Sequence, residues 1–213
     1  MIITEERRFA LGTVEHRATE DGRHIAAGYA AVFGRRSHEL GGFTELVDPA
    51  AFTKTVTEAD VIAAWNHNED RLLGRLSSGT LRLTVDDRGL FYEIDMPDCE
   101  AGITELLQRG DIRGSSFGFR TIRDRWEQDD KGAVTRTLLE VALIDVSPVA
   151  RPAYPDTTAA LRSLAQATAH DLAEVRRASE SRNLAPLLTP ATGAEPSTDN
   201  GDNRSPLIEW LYA

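Results

Sequence analysis

Residues 116–147, SFGFRTIRDRWEQDDKGAVTRTLLEVALIDVS, hold two alternating runs on either side of a polar break. Successive side chains on a strand point to opposite faces. SFGFRTIRDRWEQ and AVTRTLLEVALIDVS therefore each read as a strand, and DDKG reads as the turn of a β-hairpin. Upstream, LRLTVDDRGLFYEIDM has the same form, with alternating halves around Asp86-Asp87-Arg88-Gly89. HIAAGYAAVF (24–33) is a small-residue strand, and FTELV resumes an extended pattern after the loop GRRSHELGG. VIAAW (61–65) is a continuous apolar run, read as a buried strand that ends at Asn66 and His67.

Two helices interrupt the strands. Asp48 followed by Pro49 predicts an N-cap and first helical position, with the helix reaching about Val56. Asp98 predicts a cap for a second helix through about Arg109, ended by Gly110. Six or so strands with two helices before residue 150 predict a β-rich α+β fold, a mostly antiparallel sheet or barrel with packed helices.

The chain has 213 residues, 41% of them hydrophobic, and a net charge of −10. A surface that tracks nucleic acid needs clustered Lys and Arg, so this acidic balance argues against nucleic-acid partners. Cys99 is the only cysteine and cannot form an internal disulfide, so it is expected to be a small, partly buried side chain in a protein of a reducing compartment. The N-terminus MIITEERRFA carries acidic residues where a signal peptide would be apolar. No run approaches the roughly 20 apolar residues of a membrane span, and the expectation is a cytoplasmic protein without a membrane partner.

After residue 157, TTAALRSLAQATAHDLAEVRRASES has apolar residues at helical spacing. TPATGAEPSTDNGDNRSP (189–206) has no large apolar side chain and reads as disordered, and LIEWLYA restores apolar character. The division taken is a domain over 1–163, a C-terminal helix over 164–188 and a disordered acidic tail with a terminal apolar peptide over 189–213.

Two adjacent serines in GDIRGSSFGF (110–119) raise the question of a nucleophile. GSSFG fits G-x-S-x-G with Ser116 at its centre, but the strand that follows does not suit the strand-turn-helix elbow of α/β-hydrolases. A serine needs a base. His16, His24, His38 and His170 lie in polar or charged surroundings, whereas His67 ends an apolar strand, either as a strand cap or as a base held at a rim. Lys54 and Lys131, the only lysines, sit in a short helix and a turn. No H-E-x-x-H or C-x-x-C spacing suggests a metal, and no cofactor is implied. Glu140 is a carboxylate in an otherwise apolar strand: it either points outward or serves a partner. Asp145, five residues on, would face the opposite side of a regular strand.

WNHNEDRLLGRLSSGTLRL, RGDIRGSSFGFR and LLEVALIDVSPVARPAYPDTTAALRS, with ELVDPAAF upstream, resemble in order and spacing the prohead maturation proteases of tailed bacteriophages over roughly residues 24–163. The resemblance implies a β-barrel surrounded by helices, similar to the herpesvirus assemblins, and makes 1–163 the protease domain. It implies a serine endopeptidase that cleaves capsid scaffolding or coat-protein segments inside the immature prohead in the host cytoplasm. Carried onto this chain, the nucleophile is Ser116, the base His67 and the acid Glu140, with Ser115 as a turn residue and Arg151 a candidate cationic stabiliser. Implied partners are the major capsid protein and its scaffolding segment. The assemblin analogy adds a homodimer, with 157–180 as one surface. The tail is either a self-cleavage site with a tethering peptide or a terminus without a role. The competing reading is a non-catalytic capsid assembly or scaffold factor of the same fold.

Overall fold

The computed structural model describes residues 5–10, 14–151 and 157–188. The expected disordered tail and most of PVARPAYPD lie outside them.

Among the described residues, ten strands form two open sheets. The strands are β1 (Glu6–Ala10), β2 (Glu15–Ala18), β3 (His24–Val32), β4 (Phe43–Val47), β5 (Ile62–Trp65), β6 (Asn68–Arg75), β7 (Leu81–Val85), β8 (Gly89–Asp95), β9 (Gly114–Gln128) and β10 (Val134–Val149). The six-stranded sheet runs β1-β9-β10-β5-β6 with β4 also on β10; the four-stranded sheet runs β2-β3-β8-β7. Pairing is antiparallel except where β4 and β5 lie parallel to β10.

Both expected hairpins form for local reasons. Asp86 Oδ1 accepts from the amides of Arg88 and Gly89 at 2.8 and 2.9 Å and closes the β7–β8 turn. Asp129 Oδ1 does the same for Lys131 and Ala133, at 2.9 and 2.8 Å, in the β9–β10 turn, where Gly132 takes φ 82°. β10, sixteen residues long, is the central strand: its first half pairs β4, its second half β5, and β9 runs along its other edge.

The core lies between the sheets. Tyr92, Ile94, Leu90 and Ala30 from one sheet meet Phe117, Phe119, Leu138 and Val146 from the other, with Ile103 and Leu107 of helix α2 (Ala101–Gln108) closing one end. A second cluster packs Leu161 and Leu164 of α3 (Thr158–Thr168) and Val175 of α4 (Leu172–Glu180) on Leu40, Phe43 and Val134.

Four expectations need correction. The sheets do not close into a barrel: among the described residues no pairing joins one sheet to the other. Alternation reports strands, but closure depends on tilt and stagger that it does not encode. The single helix expected over 164–188 is instead α3, α4 and a short α5 (Ala185–Leu188); the break comes at Ala169, in the left-handed region at φ 54°, and Asp171 then caps α4. The apolar sides of α3 and α4 face the second cluster. The helix expected from Pro49 begins later, as α1 (Thr55–Glu58), after a turn in which Asp48 Oδ1 accepts from Ala50 N at 2.9 Å. Finally, Cys99 is exposed rather than partly buried.

Candidate active site

Three neighbouring strands bring the site together. On β9, Ser115, Phe117 and Phe119 alternate with Ser116 and Gly118. The first set faces the core, where Ser115 Oγ lies 2.8 Å from the fully buried Tyr92 hydroxyl, and burial pushes that phenol above its ordinary pKa. The second set faces the opposite side of the sheet. Directly across on β10, Ser147 pairs with Ser116 and Asp145 with Gly118. The absence of a side chain at Gly118 matters here: a Cβ built there would overlap Asp145 Oδ2.

The imidazole comes from the third position. β5 runs parallel to β10 from Ile62, opposite Asp145, and turns back into β6 through Asn66 and His67, which connect the paired residues Trp65 and Asn68. Both turn residues have positive φ, 53° and 59°, as in a type I′ hairpin, where Asn is favoured. The turn is fastened to β10. Asn66 N donates to Pro148 O at 3.1 Å, Ala150 N donates to Asn66 Oδ1 at 3.0 Å, and His67 N donates to Ser147 Oγ at 3.2 Å.

In this position His67 Nδ1 lies 2.7 Å from Asp145 Oδ1 and Nε2 lies 2.7 Å from Ser116 Oγ. A carboxylate only accepts, so Nδ1 carries a proton, and in the neutral ring Nε2 is left as the acceptor that can take a proton from the hydroxyl. Asp145 Oδ1 also accepts from Ser147 Oγ at 2.6 Å, so one hydroxyl steadies both the carboxylate and the turn that carries the ring. The side chains of His67 and Asp145 are 3% and 6% exposed, and Ser116 is 0% exposed. Alcohol, imidazole and carboxylate thus stand in line, the geometry that lets a base take a hydroxyl proton while an acid fixes its tautomer and stabilises its charged form.

The structure therefore brings together Ser116 and His67 but does not bring Glu140 to them. Glu140 is at 25% exposure with its Oε1 3.9 Å from Lys54 Nζ, an ion pair at the surface. The carboxylate at the ring is Asp145. Counting alternation from Glu140 misplaces it because β10 is irregular: its register shifts between Leu138 and Glu140, Glu140 and Val141, and Leu143 and Asp145. As a result Val141 and Val146, five residues apart, both face the core. Ser147 was missed as well; the spacing D-x-S, two residues on one strand face, was its only signal. Arg151 lies just beyond β10 and is exposed, while His16 and His24 pair with each other at 3.0 Å. Among the described residues, no group of three or more His, Cys, Asp or Glu is placed to hold a metal ion, and no helix is long and apolar enough to cross a membrane.

Residues 12–171 match the family model described as caudovirus prohead serine protease, well over half of the 213 residues. The match includes Ser116, His67 and Asp145 and begins after β1. No curated protein and no solved structure matches the chain.

Proposed function

The chain belongs to the caudovirus prohead serine protease family, a family of serine peptidases, and from that premise we propose that it is a capsid maturation endopeptidase acting through Ser116, His67 and Asp145. The observation that carries this reading is the pair of 2.7 Å contacts that place His67 between the hydroxyl and the carboxylate. Ser116 Oγ attacks a peptide carbonyl while its proton passes to His67 Nε2. The imidazolium, held at Nδ1 by Asp145, then protonates the leaving amine, and water releases the acyl group by the same route. Scaffolding or coat-protein segments of the prohead are the substrates that the family membership suggests, with the C-terminal tail as a further candidate for self-cleavage. A non-catalytic assembly factor on the same fold would have no need of an assembled line of three such groups.

A fluorophosphonate probe tests the reading directly. Full-length protein is expected to become labelled at Ser116, with labelling lost in Ser116→Ala, greatly slowed in His67→Ala and kept in Ser115→Ala. Labelling at Ser115 would overturn the assignment. So would its absence both in the isolated chain and in chain co-expressed with the phage's coat protein.

A further inference from the structure

The Ser116 hydroxyl is enclosed, and strand β1 helps to enclose it. β1 pairs antiparallel with the outer edge of β9 from Glu6↔Phe119 to Ala10↔Ser115, with Phe9 directly opposite Ser116. Without β1, β9 would be the edge of its sheet, with its free amides and carbonyls beside the nucleophile, the arrangement by which a sheet edge takes up an extended peptide. The occupant also engages the nucleophile: Ser116 Oγ donates to Arg8 O at 2.9 Å. One hydroxyl proton cannot serve this carbonyl and His67 Nε2 together.

Side chains of β1 alternate between two complementary surfaces. Phe9 lies over Gly114, whose added Cβ would come within 2.5 Å of the ring, so the bare glycine is a floor for an aromatic group. Arg8 points to the other face. There its Nε and Nη2 donate to Glu45 at 2.7 and 3.0 Å, and its Nη2 also reaches Glu6 at 2.6 Å. The body of the protein supplies Glu45 of β4, Asp124 of β9 and Arg136 of β10 to this cluster, one more anion than cation. An incoming cationic side chain is therefore matched by charge.

Resting on the reading of Ser116 as nucleophile, we infer that the β9 edge over residues 115–119 is the peptide-binding groove and that β1 is its resident occupant. The substrate enters as an extended strand in place of β1, with a basic side chain towards Glu45 and the following aromatic one over Gly114. β1 copies that chemistry from within the chain. As a tethered strand it is present at an effective concentration on the order of millimolar, enough to keep the groove closed until a competing segment is concentrated beside it.

The test uses the full-length protein and Arg8→Ala. Without the Arg8 cation, β1 brings only the Glu6 carboxylate to Glu45, Asp124 and Arg136, and it is expected to leave the edge. Amide exchange over 115–119 should rise at least tenfold, and fluorophosphonate labelling of Ser116 should rise with it. Adding the free peptide EERRFA should restore protection, and versions with Ala in place of the second Arg or of Phe should not. If Arg8→Ala does not fold, Phe9→Ala, which leaves the buried charges in place, carries the same comparison. Unchanged exchange in the folded variants, or equal rescue by all three peptides, overturns the inference. Exchange that responds while no variant labels leaves the groove standing and removes the peptidase reading. Equal labelling at Ser116 in every variant, with unchanged exchange, does the reverse.

Discussion

Ser115 and Ser116 are chemically the same and adjacent, and strand alternation alone assigns them to different work: one hydroxyl meets Tyr92 in the core, the other meets His67. Ser115, expected as a turn residue, lies instead within β9 and faces the core. Ser116 and His67 could be picked out as candidates from GSSFG and from the end of an apolar strand, with their roles supplied by the family resemblance. The acid could not, because the bulges of β10 change which residues share a face and the sequence does not mark where they fall. The distinction can be measured. Asp145→Asn should keep the fold and lower the rate of Ser116 labelling by about 10²- to 10⁴-fold, as expected when a base loses the group that fixes its tautomer. Glu140→Gln, which removes a surface ion pair, should leave the rate within about twofold. If the two variants exchange these effects, Asp145 is not the acid. Gly118→Ala is a third probe: its methyl group would displace Asp145 Oδ2, so it should slow labelling while Ser115→Ala does not. Equal rates in Gly118→Ala and wild type would show that the carboxylate need not lie over that glycine.

At the scale of elements, the strands that proved legible are those with a buried face. β5 is an apolar run, β3 is rich in alanine, and the β7–β8 and β9–β10 hairpins carry Asp and Gly where their turns need them. β6, NEDRLLGR, was not legible, because its first half is polar and exposed and gains its order from pairing with β5. β1 was hidden for a different reason: its inward residues are Glu6 and Arg8, which are buried as ion pairs rather than as apolar groups. The β5–β6 turn depends on the pairing of β6, and it carries the ring of His67 to Asp145 and Ser116. Asn66 has φ 53°, where a β-branched residue is strained by roughly 1–2 kcal/mol or more and glycine is not. Asn66→Gly should therefore retain stability, losing only the bond to Ala150 N, whereas Asn66→Val should lower the melting temperature and slow labelling together. A valine variant as stable and as reactive as wild type would mean that this turn does not hold the base.

Across the whole molecule, the six-stranded sheet is tied by charge as well as by its apolar core. Arg136, 0% exposed, donates to Glu6 of β1 at 2.7 Å, Glu45 of β4 at 2.9 Å and Asp124 of β9 at 2.7 Å, with Arg8 and Thr121 completing the surroundings of Glu6. Burial raises the pKa of Glu6, but the hydrogen bond and charge of Arg136, joined by Arg8 and Thr121, outweigh it and hold the group below its ordinary value of 4.5. A carboxyl depressed by folding stabilises the native state fully above its unfolded pKa, and that contribution is lost as pH falls through the folded value. Stability should therefore hold above about pH 4.5 and decline below it. Glu6→Gln breaks a buried pair, which costs about 3–5 kcal/mol when one partner is removed, so its melting temperature should be lower at pH 7. Lacking that proton, it should also change less than wild type between pH 5 and pH 3. Thermal unfolding of both chains across this range provides the check, and parallel curves would show that Glu6 is not the group whose protonation loosens the sheet. Because Glu6 is part of β1, the same acid step should raise amide exchange over 115–119 in wild type before global unfolding, linking the charge cluster to access at Ser116.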